Sequence, residues 1–555
     1  MKSIFKNYWR KAAFILIAFV FISSTSDLKA GHYTVTVTDP GQLENAVSQI
    51  VGGPDNYYLI TSLTVIGNLN RADINFLQDL GYLESQGGLG ILHDLDISQT
   101  NLPSNTLPAF AFSQVDIKNI ILPNSVETYE WQCFFNSNVK YVKVGSAASV
   151  LFEDPTPYHN SMDYTAFSNT REMVAYEVAA DNEHFTALDG VLYTKEMKNL
   201  VAYPSNKPDN AFAIPETVEK ICFASFSNTR NLNSVIMPNS LKTISDYAFL
   251  GTYGIGSITW GSGLEIIGYN AFMRAEGLGE IVLPEGLTTI VSSAFYSAGI
   301  TKLTGPSTLT TLGYDCFRGD GFDGSPLVTV DFSNCTNLHT LTGSTFYDCH
   351  YLKNVTLPQG LKVIGDAAFQ NCYSIEEITI PNSVQTIEVN AFWMFSELYQ
   401  HQMKKVILGS GLQQIQANAF GECDNIVEIY SLNPVPPALT NDAFEAQLNN
   451  KATVYVPVGS LTAYQTANRW RDFNNIEEST VGINDRSLTK SDYKIYTLKN
   501  RLVIENAKPD DIANIYATNG SLVKTVRISG TTEEIELPHG IYLVQVNNYT
   551  SKVVM

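Results

Sequence analysis

One unit recurs through most of this chain, and it limits the fold more than any other feature. Leu357-Pro358-Gln359-Gly360-Leu361-Lys362-Val363-Ile364-Gly365-Asp366-Ala367-Ala368-Phe369 is followed by Ile380-Pro381-Asn382-Ser383-Val384-Gln385-Thr386-Ile387-Glu388-Val389-Asn390-Ala391-Phe392. Each copy reads as an apolar residue, Pro, two small or polar residues, an apolar pair three apart, then Ala-Phe. Phe226, Phe249, Phe272 and Phe295 are each 23 apart, and the steps to Phe317, Phe346, Phe369, Phe392, Phe420 and Phe444 are 22, 29, 23, 23, 28 and 24. A fixed period in the twenties predicts a solenoid with one coil per repeat. The long steps hold Gly319-Asp320-Gly321-Phe322-Asp323-Gly324 and the stretch from Ser396 to Gln402, which fit loops bulging from the stack.

A single coil cannot bury its own apolar face, so the Phe column is read as core. Each buried Phe contributes about 1.5–3 kcal/mol relative to exposure. Pro215, Pro238, Pro284, Pro306, Pro358 and Pro381 each follow a short apolar strand, where a missing N–H does least harm. Gly261 and Gly409 take that place in two coils, as a turn allows.

Residues 1–30 read as an export signal. Lys2, Lys6, Arg10 and Lys11 precede an apolar run of 11 residues, Ala12 to Ile22, then Ser23, Ser24, Thr25 and Ala30. The run is short for a spanning helix and right for a signal core, with an uncleaved anchor as the alternative. The formal charge is −20, and loss of five positive charges and one negative with residues 1–30 leaves −24. Such a chain is repelled by nucleic acid and by anionic lipid. Charged residues make up only 16%, against many Asn, Ser, Thr, Tyr and Gly, which favours strands and turns.

Residues 31–118 are expected to form an atypical cap on the first coil, with a separate binding domain as the alternative. Tyr33 to Val37 and Tyr58 to Ile66 read as strands, Gly41 to Ile50 and Asp73 to Leu83 as helices, and Leu92 to Ser98 as a strand with its turn. Residues 119–478 carry the repeats, degenerate at first, with Phe134 or Phe135 and Phe167 as spine candidates. Within them, 185–204 reads as a β-hairpin turned by Asp189-Gly190.

These motifs carry a resemblance. The I/L-P-x-x-V/L-x-x-I-x-x-x-A-F unit resembles the BspA-type leucine-rich repeat (LRR_5 type) of bacterial surface proteins. So do the Asp189-Gly190-Val191-Leu192-Tyr193 hairpin and the closing Val454-Tyr455-Val456-Pro457-Val458-Gly459-Ser460 with Tyr464, Trp470 and Phe473. Cys316 and Thr345 depart from the pattern by replacing Ala before Phe317 and Phe346. The resemblance implies a secreted or outer-surface protein, often of the Bacteroides group, of a kind discussed as adhesins. It implies no catalytic site.

Residues 479–492 read as a linker, and 493–555 as seven short strands in a small antiparallel β-sandwich. That segment resembles the type IX secretion sorting domain of Bacteroidetes exported proteins, on Asn519-Gly520, Leu537-Pro538-His539-Gly540-Ile541-Tyr542-Leu543-Val544 and Lys552-Val553-Val554. A related domain with no sorting role shares the strand pattern. The expected fold is thus α+β, mostly β: a leucine-rich-repeat solenoid of about 23-residue coils and a terminal sandwich.

No catalytic motif is present: G-x-S-x-G, a P-loop, H-E-x-x-H and a helix-opening G-x-G-x-x-G are all missing. The eight histidines show no metal spacing, and no C-x-x-C occurs among the seven cysteines. Cys349, Cys372 and Cys423 each lie three after a spine Phe and are read as buried thiols, with a Cys349–Cys372 disulfide as the alternative. No enzyme, cofactor or metal is expected. What remains is surface: alternate strand residues point outward, and their rows stack into one continuous face. The candidate binding face is Ser257, Thr259, Glu280, Lys302, Asn354, Thr356, Glu377, Thr379 and Lys405, though Thr and β-branched residues suit such a face without any ligand. Extended and without a pocket, it suits a host or bacterial surface protein, or a polysaccharide, better than a small molecule. Trp260, Tyr269, Tyr253, Tyr314, Tyr373, Trp393 and Tyr399 are aromatics off the spine that a sugar could stack on.

Overall fold

The computed structural model describes residues 30–555 apart from 83–90, 152–165, 168, 322–323, 396–399, 441, 480–493, 499–500, 506, 508–510, 518–521, 547–548 and 555. The proposed signal apart from Ala30, the proposed linker apart from Ser479, and Tyr399 therefore lie outside the described residues.

Each coil has three sides. In the coil ending at Phe369, the strand Asn354–Thr356 runs into Leu357-Pro358, and the Leu361 N–H closes the turn onto the Pro358 carbonyl at 3.1 Å. A two-residue strand, Val363–Ile364, follows, and a compact turn around Phe369 leads back. The same bond recurs from Leu241 to Pro238 and from Leu287 to Pro284, so Pro opens a turn and loses no donor there. Where Gly261 and Gly409 replace it, a Cβ would meet the carbonyl oxygens of Pro238 and Pro381 at 1.9 and 2.3 Å. Close approach of two backbones selects glycine at those two positions.

The spine forms as the period predicts. Ring centroids of Phe249 and Phe272 are 4.8 Å apart, of Phe272 and Phe295 5.0 Å, and of Phe369 and Phe392 5.1 Å, all within 4° of parallel. The stack closes on Trp470, fully buried, whose indole N–H donates to the Pro437 carbonyl at 2.8 Å. Its backbone has a feature the sequence pattern did not announce. Residues two before the spine Phe are left-handed, as at Tyr247 (φ 57°), Asn270 (52°) and Ala367 (53°). So are many residues two after it, as at Asn228 (56°), Arg274 (57°) and Asn371 (61°). Alternation of right- and left-handed residues turns the N–H groups to one side. Tyr247, Phe249 and Gly251 donate to the carbonyls of Tyr269, Ala271 and Met273 in the next coil, at 2.9, 2.7 and 2.9 Å. The residue before each Phe is thus pressed between coils, and Ala248, Ala271, Ala294 and Ala368 are fully buried there. Cys316 and Thr345 fit the same place, and their carbonyls accept from Phe295 and Phe317 at 2.8 and 2.9 Å.

The two strand sides are parallel ladders. Two-residue strands run from Lys220–Ile221 to Thr311–Leu312, then from Thr340–Leu341 to Ala438–Leu439, with the gap at the insertion after Phe317. The longer strands form not one face but three sheets, which corrects the expected continuity. Ala211–Ala213, Ser234–Ile236 and Ser257–Thr259 make the first. The second runs from Gly279–Val282 through Ile300–Thr304 and Thr329–Asp331 to Asn354–Thr356. The third holds Glu377–Thr379, Lys405–Leu408, Glu428–Ser431, Thr453–Pro457 and Asn475–Ser479. At both breaks the last strand's inward residue, Ile258 or Val355, is only partly buried, whereas Ile281 and Ile378 on the strands that follow are buried. The left-handed Gly279 (φ 64°) starts the strand after the first break.

The N-terminal part has its own parallel sheet, ordered Gly31–Val37, Ile60–Asn68, Asp94–Asn101, Asn119–Ile121, Tyr141–Val144 and Ala175–Val178. Helices Leu43–Val51 and Arg71–Gly81 stand where helical spacing placed them, shifted by about two residues as helix ends commonly are. Asp73, 2% exposed, ties them together. Its carboxylate accepts from the backbone N–H of Gly41, Leu43 and Asn70 at 2.7, 2.9 and 2.9 Å, and Asn70 caps the second helix in return.

The hairpin Phe185–Leu188 with Val191–Thr194 turns on Asp189 (φ 50°) and Gly190 (φ 78°), as its sequence predicts. It is buried on both faces. Leu192 and Ala202 enter the N-terminal core, whereas Val191, Tyr193 and Leu200 enter the core of the regular coils. This excursion joins the two hydrophobic cores. After the solenoid, antiparallel sheets of three and four strands enclose a small core of Leu502, Ile504, Ile515, Ile535, Val544 and neighbours.

Candidate functional site

The long-strand side sends one residue of each pair inward and the next outward, which fixes what the expected binding residues face. Ser257 and Thr259 end the first sheet and are exposed. In the second, Glu280 pairs in register with Lys302, Oε2 to Nζ 3.5 Å, while Asn354 and Thr356 close it. In the third, Glu377 pairs with Lys405 at 3.3 Å, and Thr379 lies beside Ile407. Residues within one sheet are brought together, and those across a break are not: Thr259 is unpaired with Val282, and Thr356 with Thr379. Both lysines of this set are neutralised by a carboxylate on the preceding strand.

Sequence reasoning passed over an aromatic pair on this face. Tyr430 and Tyr455 are in register on adjacent strands, with rings 4.6 Å apart and 19° from parallel. The Lys405 ammonium sits 5.3 Å from the Tyr430 centroid. Burial, reinforced by the neighbouring carboxylate of Glu428, pushes the Tyr430 hydroxyl pKa up. The signal was available: extending the outward row by one strand, through Thr453-Val454-Tyr455, places the second Tyr beside the first.

The other aromatics divide. Tyr253 and Tyr314 are exposed, at 54% and 63%. Trp260 packs edge-on against the spine ring of Phe272 at 5.8 Å, and Tyr373 is buried against His350 at 5.0 Å. On the turn side the Arg318 guanidinium lies between Tyr296 (5.8 Å) and Tyr347 (4.4 Å) and pairs with Asp315 at 3.1 Å. These groups satisfy one another along the stack.

Among the described residues no group of three or more His, Cys, Asp or Glu is placed to hold a metal ion. A cavity of about 20 Å³ lies where the degenerate coils meet the hairpin, beside Phe167, Thr170, Tyr176, Tyr203 and Ser225. It has room for about one water. All seven cysteines are free and buried, so the Cys349–Cys372 disulfide is not formed. Instead the thiols of Cys349, Cys372 and Cys423 donate to the carbonyls of Phe317, Phe346 and Phe392 at 3.2, 3.2 and 3.1 Å. Burial pushes all three thiol pKa values up, and that of Cys335 to about 12.

The model of the BspA type leucine rich repeat region matches in six copies, over residues 91–178, 205–322 and 319–451, more than half of the chain. The chain belongs to that family. Among solved structures it is similar to a leucine-rich repeat protein from Bacteroides ovatus (18% identity, 67% of this chain and 79% of that one covered, TM-score 0.44). It is also similar to a leucine rich cell surface protein from Faecalibacterium prausnitzii (20%, 58% and 78%, TM-score 0.38). No curated protein matches. No described helix is long and apolar enough to cross a membrane.

Proposed function

We propose that this BspA-type leucine-rich-repeat protein is exported to the cell surface and binds another protein through the long-strand face. The observation that carries the reading is that face itself: an extended array of short polar and paired charged side chains, in which Tyr430 and Tyr455 are the rings among the described outward residues of its three sheets. Regular strands present such rows at low conformational cost, and stacked coils extend them over the length a protein partner needs. Capture of a polysaccharide at the surface is the alternative. It needs a row of open ring faces, which a Thr-rich strand face does not supply. A scaffold that binds nothing is the further alternative.

The same reading assigns residues 1–30 to export, 31–118 to the cap, 119–478 to the repeats, 479–492 to a linker and 493–555 to a terminal domain that sorts or anchors the protein. The antiparallel strands between 494 and 554 support that last assignment, and a related sandwich with no sorting role is its alternative. Binding of the exported chain to parallel arrays of host matrix proteins and of polysaccharides tests the reading. A saturable protein partner, weakened by Glu280→Lys or Lys302→Glu, is the expected outcome. A polysaccharide partner lost on Trp260→Ala or Trp393→Ala moves the function to glycan capture, and silence on both arrays leaves a scaffold.

A further inference from the structure

The last sheet of the long-strand face ends differently from the other two. Tyr430 and Tyr455 stack there, and the two sides of the stack are not equivalent. On the side toward Lys405 the place over the ring is taken: the ammonium lies 5.3 Å from the Tyr430 centroid, and Glu377 balances its charge at 3.3 Å. On the far side the next residue in register with Tyr455 is Glu477. Its side chain is exposed, and its carboxylate makes no ion pair among the described residues. Neighbouring Glu478 differs, because it accepts the Gly459 N–H at 2.7 Å.

Lys405 thus shows what one half of the site does with a cation. An ammonium rests on a tyrosine ring while a carboxylate of the adjacent strand faces it. The other half has the ring and the carboxylate but, among the described residues, no cation paired with them. We propose that Tyr455 and Glu477, backed by Tyr430, form a subsite that takes a basic side chain, lysine or arginine, of a protein partner. This rests on the reading of the long-strand face as a protein-binding surface and names the chemistry of its partner.

Three arguments support that occupant. A cation over a tyrosine face is attracted by the ring quadrupole, and a facing carboxylate adds to it. The chain carries −20, so a basic segment is drawn in from a distance while an acidic one is repelled. Tyrosine is also, with tryptophan and arginine, among the residue types enriched as anchors of protein interfaces, being large, rigid and polar at its tip. A neutral glycan would leave Glu477 unused, and an anionic glycan would be repelled by it.

The test is a titration of the full chain with an oligolysine peptide and with an oligoglutamate peptide, at low and at high salt. Oligolysine is expected to bind and oligoglutamate not to. Tyr455→Ala and Glu477→Gln should each weaken oligolysine binding about fivefold, the ratio expected for one exposed cation–π contact. Tyr455→Phe, which keeps the ring, should bind as the parent does. Glu216→Gln removes the same charge from an exposed turn elsewhere and should change nothing. Equal weakening by Glu216→Gln would show diffuse attraction and overturn the proposal, as would parental binding by Tyr455→Ala. Capture on the protein arrays depends on Glu280 and Lys302, so failure here with a protein still captured there removes the subsite and leaves the wider reading standing.

Discussion

The turn side and the long-strand side of the coils are built from the same repeats, yet they differ in how far the residue type is free. Along the turn side Phe follows Phe at rings 4.6–5.5 Å apart and within 21° of parallel, preceded in most coils by Ala where the backbone of the next coil presses in. Along the long-strand side the outward row of the second and third sheets reads Glu280, Lys302, Thr329, Asn354, then Glu377, Lys405 and Glu428. Nothing in the fold demands any one of these. Where every coil must satisfy the same packing and the same N–H ladder, the sequence repeats. Where only solvent or a partner is met, it varies.

The sharpest way to break this comparison is to damage the spine. Phe272→Ala should cost about 3–5 kcal/mol, because its ring packs between two others and leaves a cavity the stack cannot close. Chemical denaturation read by circular dichroism checks it, and a cost under about 1 kcal/mol would refute the spine as core. Next comes the N-terminal tie. Asp73→Ala strands three backbone donors, that of Leu43 buried and those of Gly41 and Asn70 partly so, and should cost about 3 kcal/mol. The pressed position is expected to matter less. Ala271→Leu should cost about 1–3 kcal/mol by overpacking, while Cys316→Ala should stay within about 1.5 kcal/mol since Ala already fits there in other coils. Smaller still, Ala367→Gly should be neutral or stabilise by up to about 1 kcal/mol, since it relieves a left-handed alanine at the price of chain entropy. At the bottom of the scale, Glu280→Gln and Lys302→Met should each move stability by under about 0.5 kcal/mol, as exposed ion pairs do. The thiols sharpen the same contrast. All seven should resist an aqueous thiol reagent in the native protein and react together once it unfolds, because burial covers every one of them.

Much of the fold was legible for the reason the comparison gives. A period of 23 with Phe and Pro at constant phase leaves few architectures, and Asp189-Gly190 between alternating apolar residues specifies its hairpin. The left-handed ladder was not legible, since its residues are as different as Tyr247, Ser293, Ala367 and Asn390, and the backbone bonds to the next coil impose it. Nor were the breaks in the long-strand face, where Ile258 and Val355 are only partly buried although their residue types match the inward residues of the other strands. The candidate site was half legible. Alternation placed the outward rows correctly, but which members meet depends on the breaks, and Tyr455 escaped notice because it lies in the irregular closing coil.

The most direct test of the account is whether recognition resides on the long-strand face while the turn side serves the fold. With the protein partner captured on the array, binding is measured for Lys302→Glu and Tyr455→Ala against Tyr347→Ala on the turn side, each checked for an unchanged melting temperature. The account predicts that the two long-strand variants lose affinity and that Tyr347→Ala binds as the parent does. Loss confined to Tyr347→Ala, with both long-strand variants unaffected, would contradict it.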